Sequence, residues 1–197
     1  MKKGFLGIPL LVTTCFPFLC GGKEVSAEMR AYERAVAFLK DSRQAYITND
    51  ANARAKKPGT QAKYVEGPSD IIWDHYLVTL ASSPSQEGDR YLARLAFFVV
   101  DGAVGEDFGC AMWHREKTHR MRFLKYLRQA RDNYETMSPC LAPEFKKEKD
   151  APVLQCIAKD QYTKLVQMND APESNAGDAE GEEDCSHMFK PEKARTR

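Results

Sequence analysis

The stretch Arg122-Phe123-Leu124-Lys125-Tyr126-Leu127-Arg128-Gln129-Ala130-Arg131-Asp132-Asn133-Tyr134-Glu135-Thr136-Met137 decides the fold class. Phe123, Leu127, Ala130, Tyr134 and Met137 follow one another at steps of four, three, four and three. At about 3.6 residues per turn, that spacing puts all five on one face of an α-helix. Arg122, Lys125, Arg128 and Arg131 fall between them, so the helix is apolar on one side and cationic on the other. Ser138-Pro139 closes it, because proline brings no N–H to the next turn.

Toward the N-terminus the segment stays basic. Arg115, Lys117 and Arg120 join the series, and only Glu116 and Asp132 oppose it between Trp113 and Tyr134. No apolar residue occurs from His114 to Arg120. The helix is therefore expected to start near Thr118, a residue type suited to an N-cap. Upstream lies Asp101-Gly102-Ala103-Val104-Gly105-Glu106-Asp107-Phe108-Gly109-Cys110. Its glycines predict a turn or a close backbone approach.

The remaining chain reads in the same idiom. Met29, Tyr32, Val36, Leu39 and Tyr46 predict a helix over about 28–47. The polar run 49–63, centred on Lys56-Lys57-Pro58-Gly59, predicts an exposed loop. Gly67-Pro68-Ser69-Asp70 opens a second helix carrying Ile72, Trp73, Tyr76, Leu77 and Leu80. A turn-rich connection over 82–88 leads to a third helix, about 89–100, with Leu92, Leu95, Phe97, Phe98, Val99 and Val100. This one is apolar nearly all round and so is expected to be the most buried. Val153, Cys156, Ile157, Leu165 and Val166 predict a last helix over about 152–168. No stretch alternates with a strand's period of two. The expected fold is all-α: a compact, antiparallel, disulfide-stabilised bundle of about five helices.

The two ends differ from this middle. Lys2 and Lys3, the apolar run 5–19 and Val25-Ser26-Ala27 have the layout of a secretory signal peptide cleaved after Ala27. The apolar run, broken by Pro9 and Pro17, is too short for a membrane-spanning helix. Cys20-Gly21-Gly22 offers a rival, a lipid-anchored start at Cys20, although Leu19 stands where lipoprotein processing favours a small residue. Residues 170–184 are acidic, rich in Gly, Ala and Ser, and contain no cation. That composition favours a flexible tail, ending on the basic Lys190, Lys193, Arg195 and Arg197. The expected organisation is a signal peptide over 1–27, a helical domain over 28–169 and a tail over 170–197.

Beyond residue 27 the cysteines are Cys110, Cys140, Cys156 and Cys185. An even number in an exported chain predicts disulfides, with the connectivity open. No Cys-x-x-Cys pair argues for zinc. If the basic helix and the last helix run antiparallel, Cys140 comes beside Cys156 and the tail can bring Cys185 to Cys110. An unbroken helix of about 25 residues, nearly 40 Å long, would keep Cys110 away from Cys140; a break near Lys117 would reopen that pairing.

Candidate chemistry is sparse. His114 and His119 are five apart, not on one helix face, while Glu116 and His119 can share one. Asp101, Glu106 and Asp107 surround the glycines, in a spacing that matches no EF-hand loop. His75 follows Asp74, and His187 lies in the tail. There is no Gly-x-Ser-x-Gly, phosphate-binding loop or dinucleotide fingerprint, so no catalytic, cofactor or metal residue is assigned. The net charge of +1 steers nothing in bulk. The local basic segment is the candidate partner face: Arg115, Arg120, Arg122, Lys125, Arg128 and Arg131. In an exported chain it suits an acidic protein surface better than nucleic acid. Phospholipid headgroups, pairing with the chain's own acidic tail, or a plain solvated face are the alternatives.

The layout from Met1 to about Met168, with the Asp101–Cys110 stretch as its nearest approach to a signature, resembles the small helical periplasmic immunity proteins that bacteria make against secreted toxins. The resemblance implies a periplasmic protein that neutralises a partner by direct binding, and it carries over no binding residue. On this reading, reversing Arg122 and Arg128 together weakens binding without altering the fold. The alternatives are a periplasmic enzyme or metal-dependent hydrolase built on His114, Glu116, His119, Asp101, Glu106 and Asp107, or a structural or stress-related envelope protein.

Overall fold

The computed structural model describes residues 25–98, 102–141, 154–170 and 185–189. Most of the expected signal peptide, up to residue 24, the acidic stretch 171–184 and the basic end therefore lie outside the described residues. Among those described there are six α-helices and no strand beyond one isolated bridge.

Helix α1 is Ala27–Ala55. Ser26 caps it, its Oγ accepting the Met29 N–H at 3.1 Å, and Glu28 sits in the first turn, where the helix dipole favours a carboxylate. The helix does not stop at residue 47 as expected. Ala51, Ala53 and Ala55 are strong helix formers, and Arg54 pairs with Asp50 at 2.8 Å. It ends with Lys56 as C-cap, because Pro58 disfavours a helical Lys57. Helix α2 is Asp70–Ser82, with Ser69 as N-cap. Helix α3 is Gln86–Leu95, earlier and shorter than 89–100. Ser85 starts it by accepting the Gly88 N–H. After Leu95 the chain pairs instead: the Ile157 N–H donates to the Phe97 carbonyl at 2.8 Å, beside an antiparallel bridge between Phe98 and Cys156.

Helix α4 is Gly102–Asp132. The glycine-rich stretch, expected to be a turn or a close backbone approach, forms the first turns of this helix; within it only Gly102 uses the left-handed region, with φ of 61°, at the helix entry. The break suspected near Lys117 is a kink at His119, with φ −143° and ψ 35°. Thr118 is no N-cap. Its hydroxyl donates back to the His114 carbonyl at 2.9 Å, a bond that bends helices. A short helix α5, Tyr134–Met137, and a 3-10 turn at Pro139–Leu141 follow. Helix α6 is Lys159–Asp170, later than the expected 152–168.

Helices α1 and α2 run antiparallel. Phe38 stacks on Trp73 at 5.2 Å near the middle, and Glu28 reaches Ser83 and Ser85 at one end. The first half of α4 lies along α2, where the Trp73 indole N–H donates to the Val104 carbonyl at 3.1 Å. Past the kink, α4 meets α6 antiparallel: Arg128 binds Asp170, and the Tyr134 hydroxyl donates to the Ile157 carbonyl. The core of Trp73, Leu77, Leu80, Leu92, Leu95, Phe97, Phe123 and Leu127 is sealed from solvent; each such side chain contributes about 1.5–3 kcal/mol. Tyr162 stacks on Phe97 at 4.6 Å and donates to the Ala93 carbonyl at 3.0 Å. Burial pushes its phenol up, so it stays protonated.

Disulfides join Cys110 to Cys185 and Cys140 to Cys156, with Cα atoms 5.3 and 6.0 Å apart. The antiparallel contact of α4 with α6 produces the second, although Cys156 precedes α6 and is positioned by Phe98.

Candidate functional site

The basic segment does not form one face. Arg115, expected to bind a partner, is completely buried. Its Nε donates to Asp89 at 2.6 Å, Nη1 to the carbonyls of Ala81 (3.1 Å) and Ser83, and Nη2 to Ser85 O at 2.8 Å. Asp89, equally buried, also accepts from Arg122. This is a clamp on the turn between α2 and α3. Gly88 completes it: a β-carbon there would lie 2.6 Å from the Leu80 carbonyl oxygen and 3.2 Å from the guanidinium. Glu28 ties α1 to the same turn by accepting from the Ser83 and Ser85 hydroxyls at 2.6 and 2.8 Å. The Ser83 hydrogen bond is the main reason its carboxyl is held below the usual range.

The rest of that series is dispersed. Arg120 faces Glu116 at 3.6 Å, Arg128 forms a fork on Asp170, and Arg131 binds Asp132 at 2.9 Å. Lys125 is exposed. Reversing Arg122 would put a carboxylate against Asp89, so the expectation that its reversal spares the fold is corrected.

The alternative acid–base set does not converge either. His114 stacks on Phe189, 4.0 Å between ring centres and 5° from parallel. His119 occupies the kink. Burial, followed by Arg115, lowers both imidazoles, favouring the neutral ring. Glu106 is exposed, and Asp101 lies outside the described residues. Asp107 instead contacts His187 at 3.0 Å. Among the described residues no group of three or more His, Cys, Asp or Glu side chains could hold a metal ion.

A closer grouping joins Asp107 and His187 to Asp74, whose Oδ1 is enclosed without a hydrogen-bond partner. Burial, and then the charge of Asp107, raise the Asp74 carboxyl. A carboxyl with a raised folded pKa contributes stability that is complete in acid and lost as pH rises through that pKa. Asp74→Asn is therefore expected to raise stability at neutral pH, its amide donating to Asp107, by less than about 1 kcal/mol because solvent screens this partly buried site. The gain should vanish in acid, where Asp74 is protonated. Thermal unfolding of the two proteins across that range measures the difference.

The surface that sequence reasoning passed over is at the far end of α1. Ala45 is the last buried residue of α1 and packs against Gly67. From Tyr46 to Ala55 the helix continues for about 15 Å. The returning chain is fastened along it. The Asn49 side chain donates to the Val65 carbonyl at 2.9 Å and accepts the Val65 N–H at 2.7 Å. Asn52 donates to the Lys63 carbonyl at 2.7 Å. At the tip, the Thr60 N–H donates to the Lys57 carbonyl at 3.1 Å across Pro58 and Gly59. Gly59 has φ of 82°, the conformation a type II turn demands of its third residue.

This arm holds apolar side chains in water. Tyr64 is 76% exposed, and at the root Ile71 is 79% and Ile72 46% exposed. Tyr46 lies under the Arg43 guanidinium at 5.2 Å. A cleft of about 410 Å³ opens at the root between Asp41, Gln44, Thr48 and the segment Val65–Pro68. The polarity of 49–63 correctly signalled exposure. The order within it was signalled by Asn49 and Asn52, three apart on one helix face, and by the Pro58-Gly59 pair.

No described helix is long and apolar enough to cross a membrane. The chain matches no family model, no curated protein and no solved structure.

Proposed function

We propose that the protein is an exported binding protein of inhibitory type, acting as periplasmic immunity proteins do by docking on a protein partner, such as a secreted toxin. The supporting observation is the fastened arm. Asn49 and Asn52 hold its backbone in one arrangement while Tyr64 on the arm and Ile71 at its root stay exposed to solvent. Exposed aromatic and aliphatic side chains on an ordered backbone are what a protein partner buries as anchors at low entropic cost. The two disulfides are compatible with life outside the reducing cytosol.

The test is affinity capture from the producing organism's extract, with the oxidised protein as bait, followed by mass spectrometry. One stoichiometric partner is expected. Tyr64→Asp with Ile71→Asp is expected to lose it while the circular dichroism spectrum and melting temperature stay unchanged. Capture of nothing by folded, oxidised bait would remove the proposal.

A further inference from the structure

We infer that the tip of the arm is a cationic finger that enters a carboxylate-lined cleft of a protein partner. The inference rests on the binding reading above and adds the partner's chemistry and the way it is engaged.

Charge carries the first part. Between Ala51 and Tyr64 the chain holds Arg54, Lys56, Lys57 and Lys63 and no carboxylate. Arg54 is offset by Asp50; the three lysines follow without an acid among them, in a chain whose net charge is only +1. Unlike the arginines of α4, which turn to Asp89, Asp170 and Asp132, these lysines are gathered at one exposed projection.

Shape carries the second part. The last turns of α1 and the returning segment lie side by side, and Pro58-Gly59 folds the tip into a tight turn. A projection of this kind fits a concavity. Its side-chain amide bonds fix it before contact, which reduces the ordering cost of binding. The partner cleft should therefore carry carboxylates at its floor, facing Lys56 and Lys57, and an apolar rim for Tyr64. Complementary charge of this kind speeds encounter and rejects like-charged surfaces.

Composition favours a protein partner over insertion into a membrane. From Ala55 to Gln61 the tip contains no Trp, Phe, Leu, Ile, Val or Met, the residues with which an interfacial element enters a bilayer.

The experiment compares four oxidised full-length baits in one extract: wild type, Lys56→Glu with Lys57→Glu, Lys56→Gln with Lys57→Gln, and Tyr64→Asp with Ile71→Asp. Charge reversal at the tip is expected to cut capture about tenfold or more, with the glutamine variant between it and wild type. Wild-type capture should fall as salt is raised. If the tip variants capture as wild type does while the Tyr64/Ile71 variant does not, the finger is wrong and the binding reading stands. If no bait captures a partner, both fall. Tip-dependent retention on phosphatidylglycerol vesicles or on duplex DNA, in place of a protein, would also overturn the finger.

Discussion

Arg115→Met is expected to cost about 3–5 kcal/mol of folding stability, against roughly 5–15 kcal/mol available to a domain. Hydrophobic gain from the methionine does not offset the loss, because the damage lies in what is left behind. Asp89 stays fully buried with only Arg122 opposite it, the carbonyls of Ala81 and Ser83 lose their guanidinium donor, and that of Ser85 keeps only the longer contact from Arg122 at 3.4 Å. Arg115→Lys should fall between the two, since a single ammonium cannot reproduce a planar fork aimed at separate acceptors. Removing Arg115 and Asp89 together, as Arg115→Met with Asp89→Leu, should cost less than Arg115→Met alone, because no charge is then stranded. Urea unfolding of the oxidised proteins gives all three values. A loss below about 1 kcal/mol for Arg115→Met would mean that the clamp does not hold the α2–α3 turn.

Arg115 also shows where the sequence was readable and where it was not. The Phe123–Met137 stripe identified a helix because apolar periodicity is set by the backbone alone; that helix runs to Asp132, and Tyr134 and Met137 continue the stripe on the separate short helix α5. The same periodicity contained the clue to Arg115. Phe108, Ala111 and Met112 lead to position 115 at helical spacing, and all four are buried. An arginine on an apolar stripe reads as surface until its carboxylate is known, and Asp89 is distant in sequence. Glycine content misled in the opposite direction. Gly105 and Gly109 suggested a turn or a close backbone approach, but Val104, Phe108 and Ala111 pack on one helical face, and tertiary contacts outweigh a propensity cost of about 1 kcal/mol per glycine. The arm was legible only as exposure. Whether a polar loop is loose or fastened depends on what its side chains meet, here the backbone of Lys63 and Val65.

Replacing Cys110 and Cys185 together with serine is expected to remove about 4 kcal/mol, against about 3 kcal/mol for the Cys140–Cys156 pair. The difference follows from the sequence separations, 75 residues against 16, since the longer closed loop restrains the unfolded chain more. The melting temperature should fall by on the order of 10 °C. The two losses differ in a second way that entropy alone does not supply. Cys185 anchors the segment that places His187 on Asp107 and Phe189 on His114. Without the anchor, that short segment has little to hold it, His114 becomes hydrated, and the burial that depresses its imidazole is relieved. Its titration midpoint, followed by NMR, should therefore rise toward the ordinary histidine value in the Cys110/Cys185 variant and stay depressed in the Cys140/Cys156 variant. A midpoint unmoved in both variants would show that the 185–189 segment docks by its own contacts, with the disulfide contributing only to the unfolded state.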